Sequence, residues 1–209
     1  MKNISRIAVT FALLLTGTAR ALDWTSGGPR PAETLWTVNW EIAQPVASFQ
    51  SYIDSLSLRG FSVEGRTFLR DNLSVGTSFS WNRFAQTRSG STSITNGMVT
   101  GSVFRYADML GIRALAHYYL KAGPVRPYLG AGIGGVWGFA YQQVADLSTS
   151  QDHFSFIVSP EIGALYLVPR GGADVGVNVA LRYTYTTVTV GTKKDAQTIS
   201  AVLGLAFGQ

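Results

Sequence analysis

HFSFIVSPEIGALYLVPRGGADVGVNVALRYTYTT, residues 153–187, is the stretch whose reading decides the fold. Its even positions Phe154, Phe156, Val158, Pro160, Ile162, Ala164, Tyr166 and Val168 make one apolar face, with His153, Ser155, Ser159, Glu161 and Gly163 on the other. Side chains that alternate with period two belong to a β-strand. After Pro169-Arg170, Gly171-Gly172 supplies two residues able to take the positive φ that a tight hairpin demands. The alternation then resumes on odd positions, Val175, Val177, Val179, Leu181, Tyr183 and Tyr185 against Asp174, Gly176, Asn178, Arg182 and Thr184. With a two-residue loop at the glycines Arg170 faces Ala173, and counting back along both strands Glu161 faces Arg182 on the polar side.

The apolar face runs for about a dozen residues per strand, and that length decides what it meets. A strand crossing a bilayer at its usual tilt needs roughly 9–11 residues, whereas an ordinary globular strand has about 5–6. Aromatic residues gather toward the ends of such stripes, where their amphipathic rings suit the membrane interface. Trp81, Trp137, Phe139, Tyr141, Phe154, Phe156, Tyr166, Tyr183, Tyr185 and Phe207 are expected there.

Outward from the hairpin the same pattern repeats. A strand over 127–141 sets Leu129, Ala131, Ile133, Trp137, Phe139 and Tyr141 against Gly130, Gly132, Gly134 and Gly138, glycines that leave room for large neighbours in a tapering interior. Strands over 35–44, 58–69, 73–85, 111–121 and 196–207 carry apolar stripes beginning at Trp36, Phe61, Leu73, Ile112 and Ile199. Residues 45–57, 86–97, 142–152 and 188–195 read as long loops, the first with room for a helical turn. Residues 98–110 either extend the second loop as a short strand or lengthen strand four. The connections at 70–72, 122–126 and 169–173 are tight. With the hairpin this gives eight strands joined alternately by long and short connections. That is the pattern of an all-β, eight-stranded antiparallel up-and-down transmembrane β-barrel, with short periplasmic turns, longer extracellular loops and both mature termini in the periplasm. Closure satisfies every backbone group in lipid, which an open sheet cannot do.

At the N-terminus Lys2 and Arg6 precede an apolar run from Ile7 to Leu15, and Ala19-Arg20-Ala21 has the form of a cleavage site. Residues 1–21 read as a secretory signal peptide, followed by a periplasmic leader over 22–34 and the barrel over 35–209. Losing the signal removes three basic residues and no acid, lowering the formal net charge from +5 to +2, so the basicity is mostly targeting. The absence of cysteine excludes disulfides and thiolate chemistry. With 14% charged residues and 23 glycines, hydrophobicity is spread along the chain, as when only alternate residues face lipid.

RGFSVEGRTFLRDNLSVGTSFSW (59–81), HYYLKAGPVRPYLGAGIGG (117–135), SPEIGALYLV (159–168) and the closing ISAVLGLAF (199–207) together resemble the small outer-membrane β-barrel superfamily of OmpX-, OmpA- and OmpW-type proteins. The resemblance implies outer-membrane lipid and lipopolysaccharide as surroundings, and insertion by the barrel-assembly machinery, which in that superfamily recognises a terminal aromatic. Here Phe207 is followed by Gly208-Gln209, a departure from that ending.

By parity the lumen receives Glu41, Glu64, Arg66, Arg113, His117, Glu161 and Arg182. Eight strands leave an interior just wide enough for side chains, and buried charges are tolerated only when paired. A lumen plugged by a neutralising network is therefore expected, with loops 45–57 and 86–110 free for a structural or surface-interaction role. Val136, Leu165 and Leu167 on the same inner face support an alternative, an OmpW-like conduit for small apolar molecules. A soluble lipocalin-like carrier would place the apolar face inside, and the aromatic ends of the stripes argue against it. An enzyme reading rests on His153-Phe154-Ser155, which resembles the His-x-Ser motif of outer-membrane lipid A deacylases. That family's next residue, asparagine, is Phe156 here and no acid lies about a dozen residues downstream, so no catalytic residue is assigned. His117 lacks a second histidine or cysteine nearby, and GAGIGG lacks the Lys-Ser/Thr of a phosphate loop. No metal, cofactor or nucleic acid is expected, and the chain reads as a monomer.

Overall fold

A computed structural model describes residues 34–94, 97–121, 123–144, 147–170, 173–189 and 194–208. The signal peptide and all of the leader but Thr34 lie outside them. The elements are β1 (Thr34–Val46), a helical turn α1 (Ala47–Gln50), β2 (Ser57–Arg70), β3 (Leu73–Ile94), β4 (Gly97–Tyr119), β5 (Val125–Val144), β6 (Leu147–Arg170), β7 (Ala173–Thr186) and β8 (Ala196–Gly208). Each strand pairs antiparallel with the next, and β8 returns to pair with β1, closing an eight-stranded up-and-down barrel.

The hairpin that organised the sequence has the expected register. Arg170 faces Ala173, Ile162 faces Leu181 and Glu161 faces Arg182. A slip of one residue would exchange the two faces of the wall, so this pairing fixes which side chains enter the lumen. The outer surface carries the apolar stripes, among them Trp36, Trp40, Phe61, Phe79, Leu129, Ile133, Ile162, Leu181, Leu203 and Leu205, all exposed. Of the expected interface aromatics, Trp137, Phe139, Phe154, Phe156, Tyr166, Tyr183 and Phe207 are exposed, and Trp81, Tyr141 and Tyr185 are half-buried. Trp137 stacks on Phe139 and meets Phe154 edge-on.

The strand lengths correct the expected loops. β3, β4, β5 and β6 have 22, 23, 20 and 24 residues, against 13 or 14 in β1, β2, β7 and β8. Residues 86–94 and 97–110 are paired strand, in register from Gln86–Arg105 to Ile94–Gly97, so 98–110 lengthens strand four and most of the expected 86–97 loop does not exist. Of the expected loop at 142–152, residues 142–144 and 147–152 are likewise strand, with Gln142 opposite Thr149 and Val144 opposite Leu147. β2 pairs with β3 only as far as Arg83, and β7 with β6 only from Ile157. Four strands therefore stand clear of the barrel as a projecting sheet. Such a sheet has no lipid-facing side to bury, so its Ser, Thr, Gly and Gln lack apolar alternation and resemble a loop. β4 ends at Tyr119, two residues short of the expected 121, and Lys121 is exposed beyond it.

The connection over 45–57 also departs from expectation. β1 continues to Val46 and α1 follows, but the segment folds back into the barrel mouth, where Phe49, Tyr52 and Ile53 are buried. Phe49 meets Phe84 edge-on at 5.1 Å between ring centroids. The end of the barrel closed by this segment is the loop end below, and the end with the β2–β3 and β4–β5 turns is the turn end.

Candidate functional site

The seven residues that parity sends inward converge on one layer of the lumen, and all seven are buried. Arg182 on β7 is the hub. Its Nη1 donates to Glu41 Oε1 on β1 at 2.5 Å, its Nη2 to Glu64 Oε1 on β2 at 2.5 Å, and its Nε to Glu161 Oε2 on β6 at 2.6 Å. One planar guanidinium thus reaches three carboxylates from three strands, a geometry its fixed fork of donors allows and a lysine could not copy. Arg66 donates from Nη2 to Glu64 Oε2 at 2.5 Å and from Nη1 to the Tyr119 hydroxyl at 3.3 Å, with its guanidinium 5.3 Å from the Tyr128 ring centroid. His117 Nε2 donates to Glu161 Oε1 at 2.7 Å.

Arg113 binds differently. Its Nε and Nη1 donate to the hydroxyls of Ser78 and Ser159, each at 3.0 Å, and no carboxylate of the described residues lies within ion-pairing distance. Three carboxylates nevertheless balance three guanidiniums within one buried layer. This balance is the condition on which buried charge is tolerated.

Glycine on β5 makes the convergence possible. His117 and Glu161 both lie directly opposite Gly130, one on each neighbouring strand, and meet across it. A Cβ at Gly130 would stand 2.5 Å from His117 Cδ2 and 2.8 Å from Glu161 Cγ. Gly130→Val is accordingly expected to break the His117–Glu161 contact and to cost about 1–3 kcal/mol, read as a lower denaturant midpoint for the folded barrel. A midpoint equal to that of the parent would show that the layer repacks freely around this position.

A polar ladder and two apolar clusters enclose the charges. Tyr128 donates to Asn178 Oδ1 at 3.0 Å, Asn178 Nδ2 to Asn39 Oδ1 at 3.3 Å, and Asn39 Nδ2 to Ser62 Oγ at 3.2 Å, linking β5, β7, β1 and β2. Toward the turn end Leu35, Tyr119, Tyr128, Leu165, Leu167, Val202 and Ala206 form one cluster. Toward the loop end Phe49, Tyr52, Ile53, Phe84, Met109, Val136, Ile157 and Val188 form the other. A cavity of about 20 Å³ remains beside Glu41, Arg113 and Thr198, room for about one water.

The inward segment over α1 is held by polar ties as well as apolar packing. Arg105 Nη1 donates to the Tyr52 carbonyl at 2.9 Å, Gln44 Nε2 to the Asp54 carbonyl at 3.0 Å, and Ser48 Oγ to the Asp195 carbonyl at 3.1 Å. Arg88 and Gln86, on the projecting part of β3, both bind the Asp54 carboxylate.

The sequence did not single out Tyr119, Tyr128, Asn39, Asn178, Ser78 and Ser159 as partners of the charged layer, although parity already put them on inner faces. Val136, Leu165 and Leu167 do face inward, and the two apolar clusters absorb them. His153 is exposed and Ser155 half-buried near the loop end of β6.

An apolar outer wall around a charged, hydrogen-bonded interior, on a closed antiparallel barrel with an even strand count, defines a transmembrane β-barrel of the outer-membrane type. The chain belongs to the family described as the outer membrane protein beta-barrel domain, which it matches over residues 9–207. It is thus a protein of the bacterial outer membrane. Its fold is similar to that of the Neisserial surface protein NspA, at 17% identity and a TM-score of 0.56, covering 87% of this chain and 100% of that one. It is also similar to Ail, the attachment invasion locus protein of Yersinia pestis, solved with the heparin analogue sucrose octasulfate, at 13% identity and a TM-score of 0.51, covering 85% and 99% of the two chains. No curated protein matches the sequence.

Proposed function

We propose that this protein is a non-conducting, non-enzymatic barrel that acts through its surface, in a structural or surface-interaction role. One observation carries this: the charged layer is balanced from within, three carboxylates joined through Arg182 against the guanidiniums of Arg182, Arg66 and Arg113, and is roofed and floored by apolar clusters. An ion path would need a continuous wet lining, and a catalytic lumen would need an accessible one. In this reading the mature termini lie in the periplasm and the loop end, with its projecting sheet, faces outside, among lipopolysaccharide. The aromatics at the ends of the outer stripes sit at the two interfaces, and the barrel inserts as a monomer through the assembly machinery with Phe207 in its closing strand.

The test is conductance of the purified, folded protein in planar lipid bilayers, with Glu161→Ala alongside. The parent protein is expected to be silent, and Glu161→Ala to be less stable without becoming a stable pore. Reproducible conductance steps from the parent would overturn the reading and favour the conduit for small apolar molecules.

A further inference from the structure

The segment joining β1 to β2 is built differently from the wall beside it. It runs from Val46 to Ser57, and its only regular structure is the four residues of α1. A helical turn that short has no stability of its own, and no side chain caps its N-terminus. The chain turns inward at Ala47, whose φ of 51° is the one positive value at a non-glycine among the described residues. That conformation strains any residue with a Cβ. The Ala47 side chain is exposed, so no packing of its own offsets the strain. Phe49 and Ile53 hold the segment on the lumen side, where both are fully buried. On the other side it is held by Asp54, the only charged residue over 47–56, bound to Gln86 and Arg88 on the projecting part of β3. Both members of this ion pair are open to the medium, with the Arg88 side chain 54% exposed and that of Asp54 40%.

Phe84, Met109, Val136 and Ile157 belong both to the cluster that buries Phe49 and Ile53 and to the lining of the small cavity beside Glu41 and Arg113, so the segment covers that cavity. In the same lining Arg113 Nη2 and Asn82 Oδ1 are buried without a hydrogen-bond partner among the described residues. Water reaching them when the cover lifts would offset part of the cost of exposing the rings. We propose that residues 47–56 are a lid on the loop end of the lumen, hinged at Ala47 and latched by Asp54, whose opening is tuned by the salt of the medium. Burial of Phe49 and Ile53 favours closure and strain at the hinge favours opening. The exposed ion pair adds a small contribution to closure that salt screens. The lid rests on the reading that the lumen is closed at rest, and adds to it the element that opens.

The chain has no cysteine, so one introduced thiol is a unique reporter. Val136→Cys puts it under the lid, and Leu165→Cys puts it in the cluster at the turn end. The purified full-length protein, folded into lipid nanodiscs that leave both ends accessible, is treated with a charged thiol reagent and the rate of labelling is followed by mass. Slow labelling of Val136→Cys is expected, with Leu165→Cys slower still. Ala47→Gly should slow the Val136→Cys reaction roughly five-fold, because glycine takes positive φ without strain and the closed lid gains. Asp54→Asn should speed it about two- to five-fold, the worth of an exposed ion pair. High salt should speed it with Asp54 in place and leave it unchanged in Asp54→Asn. A rate indifferent to both substitutions, or faster in Ala47→Gly, would overturn the lid. Rapid labelling of Leu165→Cys, with a Val136→Cys rate that still follows Ala47 and Asp54, would overturn the closed lumen and uphold the lid, so the two readings fail separately. Folding of each variant is checked by its heat-modifiable migration. Should Val136→Cys fail to fold, amide exchange over 47–56 in the cysteine-free protein takes its place. Slower exchange in Ala47→Gly and faster exchange in Asp54→Asn would support the lid, and equal protection in all three proteins would overturn it.

Discussion

Replacing Arg182 by methionine is expected to lower the stability of the barrel by about 3–5 kcal/mol, the cost of leaving buried charges without their partner. The side chain is fully buried and joins Glu41, Glu64 and Glu161, so its loss sets three carboxylates facing one another with Arg66, His117, Asn82 and Thr37 as their remaining partners. Urea unfolding of protein folded into lipid vesicles measures this as a fall in midpoint at similar slope. Arg182→Lys should lie between the two, since an ammonium is a point charge and cannot bridge three strands. Adding Glu161→Gln to Arg182→Met should restore part of the loss, because one of the stranded charges is gone. A variant with the parent's midpoint would mean that the layer is hydrated well enough to hold its carboxylates without Arg182.

Phe49→Ala is expected to cost about 3–5 kcal/mol, the range for a buried aromatic truncated to alanine, with the damage concentrated at the mouth. Phe49 is fully buried against Phe84, and Ile53 beside it is equally buried. Amide exchange over 47–56 should accelerate strongly while the amides of β1 and β8 around Trp40 and Leu203 keep their protection. Protection unchanged over 47–56 would show that the polar ties from Arg105, Gln86 and Arg88 hold the segment without the ring.

The sequence already showed the wall and its polarity, because period two in a barrel is enforced twice, by lipid outside and by the small lumen inside. That double constraint is why all seven expected charged residues fall in one layer and why Glu161 meets Arg182. Where neither constraint acts, the pattern fades. The projecting parts of β3 to β6 are rich in Ser, Thr, Gly and Gln, and their pairing follows from continuity of backbone hydrogen bonds that side-chain periodicity does not reveal. The mouth segment is a different case. Phe49, Tyr52 and Ile53 stand at helical spacing among Ser, Gln and Asp, a signal for one buried face that a reading devoted to strands passes over. Beyond the Glu161–Arg182 pair, which partner each charge chooses was beyond reach, since it depends on how the strands stagger around the barrel. Arg113 illustrates this, reaching Ser159 across Gly132 instead of an acid.

The apolar layers on either side of the charges have a consequence in time. In the proposed plugged barrel, water and salt from either compartment would reach Glu64 or Glu161 only when the mouth segment or the wall opens, so that a change outside would be felt at the pace of opening, not of diffusion. For such a protein, endurance in a harsh medium is a waiting time, set by the height of the barrier to opening.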